Sequence, residues 1–174
     1  MTTYTIDGSH SHASFTVRHL MVSNVRGEFQ RFSGTVSYDD ANPAAASVEV
    51  SLEAASISTN EEKRDAHLRS ADFFDVEKFP TLTFKSTGAK AHGDGLALTG
   101  DLTIHGVTRS VLLTVEEITG EQKDPWGSTR RGAVATTKIK RSDFGLGWNV
   151  ALEAGGILVG DDVKISLEVE LIKQ

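Results

Sequence analysis

Six histidines, at positions 10, 12, 19, 67, 92 and 105, are the side chains best suited to metal or proton-transfer chemistry, because the chain has no cysteine. That lack removes thiolate metal sites, cysteine nucleophiles and a disulfide framework together. His10 and His12 stand two apart, so on an extended chain their imidazoles share one side and could share a zinc ion. His19, on the same face as Phe15 and Val17, is the one candidate for a third ligand, and hydrogen-bonded structural histidines are the stronger reading. Nucleophilic hydrolysis fares no better: no Gly-x-Ser-x-Gly elbow occurs, and Ser9 and Ser11 beside His10 and His12 do not make a triad by adjacency. Asp65 and His67 are two apart on a helix and point apart. Asp161-Asp162 read as solvated turn residues. No glycine-rich loop opens a helix to cradle phosphate. The residues therefore nominate no catalytic group, no metal site and no cofactor.

The elements that would position these groups are mostly strands. Ala13, Phe15, Val17, His19 and Met21 alternate with Ser14, Thr16 and Arg18, one face toward a core. The same period recurs at Val48, Val50 and Leu52; at Leu82 and Phe84; and at Leu96, Leu98, Leu102 and Ile104 with Gly100 interposed. It continues at Val111, Leu113 and Val115; at Ala133, Ala135, Thr137 and Ile139; and from Val163 to Leu171. Turn residues separate the runs: Asp39 to Pro43, His92 to Gly95, His105-Gly106, and a longer loop at Lys123 to Gly127. Glycines at 145, 147, 155, 156 and 160 crowd the stretch before the last strand, predicting a loop or a bulged, curved strand.

One segment breaks the rhythm. Thr59-Asn-Glu-Glu62 has the form of a capping box, and Glu61 through Ser70 contains neither glycine nor proline. A short, mostly solvent-facing helix is expected there, anchored by Ala66 and Leu68. Seven to nine antiparallel strands and one helix predict an all-β domain, either a closed barrel or a sandwich. With 174 residues and no internal repeat or low-complexity linker, a single domain over 1–174 is expected.

Charge and hydropathy narrow the partners. Eighteen basic against twenty-four acidic residues give a net −6, which argues against nucleic-acid or anionic-membrane partners. No uninterrupted apolar run exceeds three residues, so no membrane-spanning helix is expected. The first residues lack a basic region followed by an apolar one, and a cytoplasmic location is the expectation.

Blocks along the chain resemble the YceI-like family. They are Ile6-Asp-Gly-Ser-His-Ser11 leading to Phe15-Thr-Val-Arg-His19, then Gly27-Glu-Phe-Gln-Arg-Phe-Ser-Gly34. Arg64-Asp-Ala-His-Leu68 follows, with Asp72-Phe-Phe-Asp75, Phe79-Pro80 and Phe84-Lys-Ser86. Gly100 to Thr108, Arg141-Ser-Asp-Phe-Gly145 and Val159-Gly-Asp-Asp-Val163 complete the series in order. The resemblance implies a lipocalin-like, eight-stranded antiparallel barrel with one helix near its mouth, holding a long polyisoprenoid or similar amphiphilic lipid. Members of the family are often homodimers and often exported.

Such a ligand is physically coherent with the composition. Burying one isoprene unit is worth about 3–4 kcal/mol before ordering costs, so a long chain needs few hydrogen bonds. The residues expected to meet it are Phe15, Val17 and His19 from one strand, Phe32, Leu68 with Phe73 and Phe74 beside the helix, Phe84, Ile104 and Phe144. For His19 a fixed hydrogen bond to protein is expected rather than contact with the ligand's head. Arg64, Asp65 and His67 are expected to dock the helix. Two other functions compete with this non-enzymatic binder: an enzyme on the same barrel acting through His19 or His67, and a ligandless interaction module whose phenylalanines simply fill a core.

Overall fold

Twelve strands and one helix account for most of the chain in a computed structural model that describes residues 1–153 and 155–174. The strands are β1 (Thr2–Ile6), β2 (His12–His19), β3 (Ser23–Phe29), β4 (Phe32–Tyr38), β5 (Ser47–Glu53) and β6 (Ile57–Ser58). After the helix α1 (Glu62–Arg69) come β7 (Thr81–His92), β8 (Gly95–Ile104), β9 (Val107–Ile118), β10 (Gln122–Lys123), β11 (Thr129–Lys140) and β12 (Val159–Lys173). Eight of them, β1-β4-β5-β7-β8-β9-β11-β12, close into an antiparallel ring when β12 pairs back with β1. The sandwich alternative is thereby excluded.

β12 makes the closure possible because of its length, 15 residues. One edge pairs with β11 from Asp162 to Ile172, while the other meets β1 near its end and β2 between Val159 and Glu168. β1 and β2 thus behave as a single long strand broken at residues 7–11, where Asp7 caps a 3-10 turn over Gly8–His10. β3 and β4 share a similar break, and β6 continues β5: Phe29 pairs with Ile57 just beyond the Phe32–Leu52 pair. The broken strands extend one end of the barrel, and α1 covers the edge of β6.

Glycine explains why β3 and β4 do not stand out as alternating hydrophobic runs. Gly27 and Gly34 occupy inward positions opposite Phe15 and Val50. A side chain on Gly27 would lie 2.4 Å from the Phe15 ring, and one on Gly100 equally close to the Phe84 ring. Each ring fills the space that a side chain on the glycine of the neighbouring strand would take.

Several local expectations are corrected. The helix is capped by Glu61, whose carboxylate accepts from the Lys63 and Arg64 N–H groups, while Thr59 turns away to donate to Asp65. Ala66 is exposed; Asp65 is the buried residue of α1, and Leu68 is half-buried. Polar bonds dock this helix: Thr59 N and Oγ1 donate to Asp65 Oδ1 (2.8 and 2.5 Å), and Arg64 Nε donates to Thr59 Oγ1 at 2.7 Å. At its other end Arg69 donates to the Ala55 and Ile57 carbonyls. His10 sits in the 3-10 turn and His12 opens β2, so the two do not share a strand face.

The β2–β3 connection holds a second correction. Met21 belongs to the turn, and Leu20 and Met21 both have left-handed backbones, with φ of 51° and 59°. Hairpin turns of this hand favour Asn-Gly, because a side-chain-bearing residue there costs about 1–2 kcal/mol. Among the described residues the glycine-rich stretch after the 3-10 turn Arg141–Phe144 is a loop with one isolated bridge, between Ala151 and Ile157, while Gly160 falls within β12 where its pairing with β2 shifts register.

Candidate functional site

The inward rows of the barrel surround a cavity of about 380 Å³, within the range of small-molecule sites. Phe15, Val17 and His19 of β2, Phe32 of β4, Phe84 of β7 and Ile104 at the end of β8 all lie on its wall. Leu68 of α1 and the following Phe73 and Phe74 complete the wall at the helix end. Phe144 is not on it. The chain leaves β11 in a 3-10 turn there, which takes Phe144 out of the strand alternation and buries it to 1% exposure against other core side chains.

The two ends of the cavity differ. At one, Arg131 spans the lumen with its guanidinium over the rings of Tyr4 and Tyr38, 5.6 and 4.7 Å from their centroids. It donates to Asp40, to the Tyr4 hydroxyl and to the Thr119 carbonyl. Burial pulls the Arg131 guanidinium down, but the bonds to Asp40 and Tyr4 outweigh it and leave its pKa raised. The same contact, with the Arg131 bond foremost, holds the Asp40 carboxyl below the usual carboxylate range. Burial, reinforced by the hydrogen bond to Glu121, pushes the Tyr4 phenol up. This end is plugged.

At the other end the wall reaches exposed residues, Arg18 and Arg64. An aromatic cluster borders the opening: the His67 ring meets Trp148 edge-on at 4.7 Å and Phe73 at 5.1 Å, and Phe73 lies 5.3 Å from Trp148. His67 Nε2 is tied to Asp72 at 2.8 Å. Trp148 is placed by buried Arg141, which donates to the carbonyls of Leu146, Trp148, Val159 and Gly160. Burial among those neutral acceptors lowers the Arg141 pKa. His19 shows no side-chain hydrogen bond among the described residues, contrary to the expectation of a fixed protein partner.

Every ionisable side chain lining the cavity, tyrosine aside, is a base: Arg18, His19, Arg64, His67, Arg131 and Arg141. Among the described residues no carboxylate joins them, in a chain whose net charge is −6. Sequence reasoning leaves Arg18, Trp148 and the two glycines that pack against rings, Gly27 and Gly100, out of the site. Trp148 lies in a glycine-rich loop with no period to read, and the glycines gain meaning only once their cross-strand partners are known.

Three ligand-type groups do converge outside the lumen: Asp7, His10 and Glu170. Arg130 already occupies their centre, with Nη1 2.7 Å from Asp7 Oδ2 and 2.6 Å from Glu170 Oε1. The Ser9 hydroxyl, Arg130 and His10 hold the Asp7 carboxyl well below its ordinary value. The cluster fastens the break between β1 and β2 to β11 and β12.

An eight-stranded antiparallel barrel, plugged at one end and opening at the other from an apolar lumen, is the architecture of small-ligand-binding barrels. Residues 4–171 match the YceI-like domain, and the chain belongs to that family. It is 44% identical to protein YceI of Escherichia coli, covering 95% of this chain and 85% of that one. A UPF0312 protein of Ectopseudomonas mendocina is 43% identical over 98% of this chain and 87% of its own. Among solved structures, BcnA of Burkholderia cenocepacia superposes with a TM-score of 0.83 at 25% identity, covering 95% of this chain and 98% of that one. A polyisoprenoid-binding domain from Saccharophagus degradans implicated in plant cell wall breakdown shares the fold, with a TM-score of 0.70 at 14% identity over the full length of both.

Proposed function

We propose that the protein is a non-enzymatic carrier or store for a long apolar amphiphile of the polyisoprenoid class, held in the barrel with its polar end at the mouth. The observation that carries this reading is the cavity itself, apolar along its length, plugged by Arg131 and open beside Arg18 and Arg64. The polyisoprenoid-binding description of the S. degradans domain supports the ligand class. Phe15, Val17, Phe32, Phe74, Phe84 and Ile104 would contact the chain, and His19 would face its head. A catalytic role for His19 or His67 gains no support from the geometry. His67 is spent on Asp72 and on stacking, and no hydroxyl is bonded to His19 among the described residues.

The reading is tested by titrating a prenyl lipid while following the fluorescence of Trp148, in a Trp126→Phe background that removes the other, exposed tryptophan. A saturable change is expected. Gly27→Val should push the Phe15 ring into the lumen and weaken binding by about tenfold or more, a steric change in a packed interior. No response in the parent, or equal binding by Gly27→Val, would refute lumen binding.

A further inference from the structure

We propose that the mouth of the barrel is a docking surface for a lipid bilayer with anionic headgroups, through which the cavity exchanges its ligand. This rests on the lipid-binding reading of the cavity. Eight large hydrophobic residues are exposed among the described residues, and five of them border this one opening: Leu20, Met21, Val22, Val150 and Ile157. They come from two segments that touch. Leu20 N donates to the Leu158 carbonyl at 2.8 Å, Leu158 N to that of Val150 at 2.9 Å, and Met21 Sδ lies against Gly156. Leu158 and Val159 continue from this rim into the cavity wall, as do Arg18 and His19 from the other side.

A contiguous exposed apolar rim calls for a partner, and the turn chemistry argues that it is not a by-product of folding. Leu20 and Met21 hold the left-handed positions at the tip, where Asn and Gly would relieve the backbone. Strain retained at a solvent-exposed tip points to selection for what the side chains touch. Val22, at 75% exposure, projects beside them.

Charge identifies the occupant. Among the described residues the ionisable wall residues at this end are Arg18, His19, Arg64, His67 and Arg141, with no carboxylate. Arg18 sits directly behind the tip, its Nη2 donating to the Met21 carbonyl at 3.2 Å. Of the nearby carboxylates, Glu61 caps α1, Asp65 accepts from Thr59, Asp72 binds His67 and Asp161 accepts from Ser142, leaving Glu62 on the helix, Asp143 in the 3-10 turn and Glu153 on the loop. Net charge predicts repulsion from an anionic surface, but it averages the whole molecule, whereas the ionisable groups on the wall of the mouth itself are bases, and at the short range of a docked headgroup these act with little screening. Apolar side chains backed by bases are the pattern of interfacial anchors. The geometry also solves a transfer problem, since an apolar ligand leaving a bilayer for this cavity need not cross water.

The test is co-sedimentation with vesicles of equal parts phosphatidylcholine and phosphatidylglycerol. In parallel, a fluorescent prenyl probe is loaded in membrane-free solution and the mass of the free protein is measured. The rim variant combines Leu20→Asn, Met21→Gly and Val22→Thr, which suits the turn and preserves the hairpin; the control combines Leu112→Ser and Trp126→Ser, exposed elsewhere. Wild type and control should sediment. The rim variant should show about tenfold weaker vesicle binding, as expected for removal of an apolar anchor, while loading probe normally. Wild type that stays in the supernatant while loading probe would overturn docking and leave the cavity reading standing. A doubled mass that reverts to monomer in the rim variant, without vesicle binding, would overturn it in favour of a second copy on the rim. Rim-dependent vesicle binding by a protein that loads no probe would support the docking surface and remove the cavity reading instead.

Discussion

The two ends of one barrel are built by opposite rules. At the plugged end Arg131 has 2% of its side chain exposed, and its donors are spent on Asp40, Tyr4 and the Thr119 carbonyl. At the mouth the His19 imidazole has no hydrogen-bond partner among the described residues, the Arg18 side chain there reaches one carbonyl, and the hairpin tip carries two left-handed residues with apolar side chains. Buried polar groups left unsatisfied are costly, so the plug is a place where stability is concentrated. The proposed function accounts for the open hydrogen-bonding capacity and exposed hydrocarbon of the mouth, which on that reading faces ligand or lipid.

The contrast can be broken by substitutions that should separate stability from binding. The largest stability effect is expected for Phe144→Ala, about 3–5 kcal/mol, because this fully buried ring lies off the cavity and its loss leaves a void. Phe15→Ala, on the cavity wall, should cost less stability and more affinity. Denaturant unfolding paired with ligand titration reads both, and equal behaviour of the two variants would erase the distinction between core and lumen. Arg131→Met should lower stability by about 2–4 kcal/mol, since it strips the Tyr4 hydroxyl and the Thr119 carbonyl of their donor and removes the cation from two rings.

Which of these positions could be read from the chain alone follows from the physics of alternation. Seven runs of apolar residues at period two correspond to β2, β5, β7, β8, β9, β11 and β12, and the Phe, Val and Ile of their inward faces do line the cavity. β1, β3 and β4 were not legible, because β1 is a short polar run and glycines replace apolar residues at inward positions of β3 and β4. Gly27 becomes legible as part of the cavity wall only beside Phe15 across the strand pair, and Gly34 only beside Val50. The plug was hidden for a related reason: Arg131 and Tyr4 are 127 positions apart, and ring closure alone brings them together. Phe144 misled because a 3-10 turn interrupts the period just before it.

Smaller effects sharpen the comparison. Leu20→Asn with Met21→Gly should stabilise the fold by about 1–2 kcal/mol by relieving the turn, measured as a rise in Tm, whereas equivalent polar changes at the plug should only destabilise. Acid should act in part through the plugged half. The Asp40 carboxyl is lowered by Arg131, and that of Glu121 by the Tyr4 hydroxyl and Lys173. Because these folded-state values lie below the unfolded ones, the stability they contribute is present above the ordinary carboxylate range. It is lost as pH falls through that range and below it, where the unfolded chain takes up protons first. Thermal unfolding across pH 2–6 should therefore show Tm falling below about pH 4, with a shallower fall in Asp40→Asn.

The most direct measurement of the central claim, that the lumen holds a long apolar ligand, is native mass spectrometry of the purified protein followed by organic extraction. A lipid-holding barrel should carry a mass surplus that extraction removes and that is identified as a long-chain amphiphile, or should take up a prenyl lipid one-to-one when it is added. A protein that is adduct-free and ignores added prenyl lipids would contradict the claim.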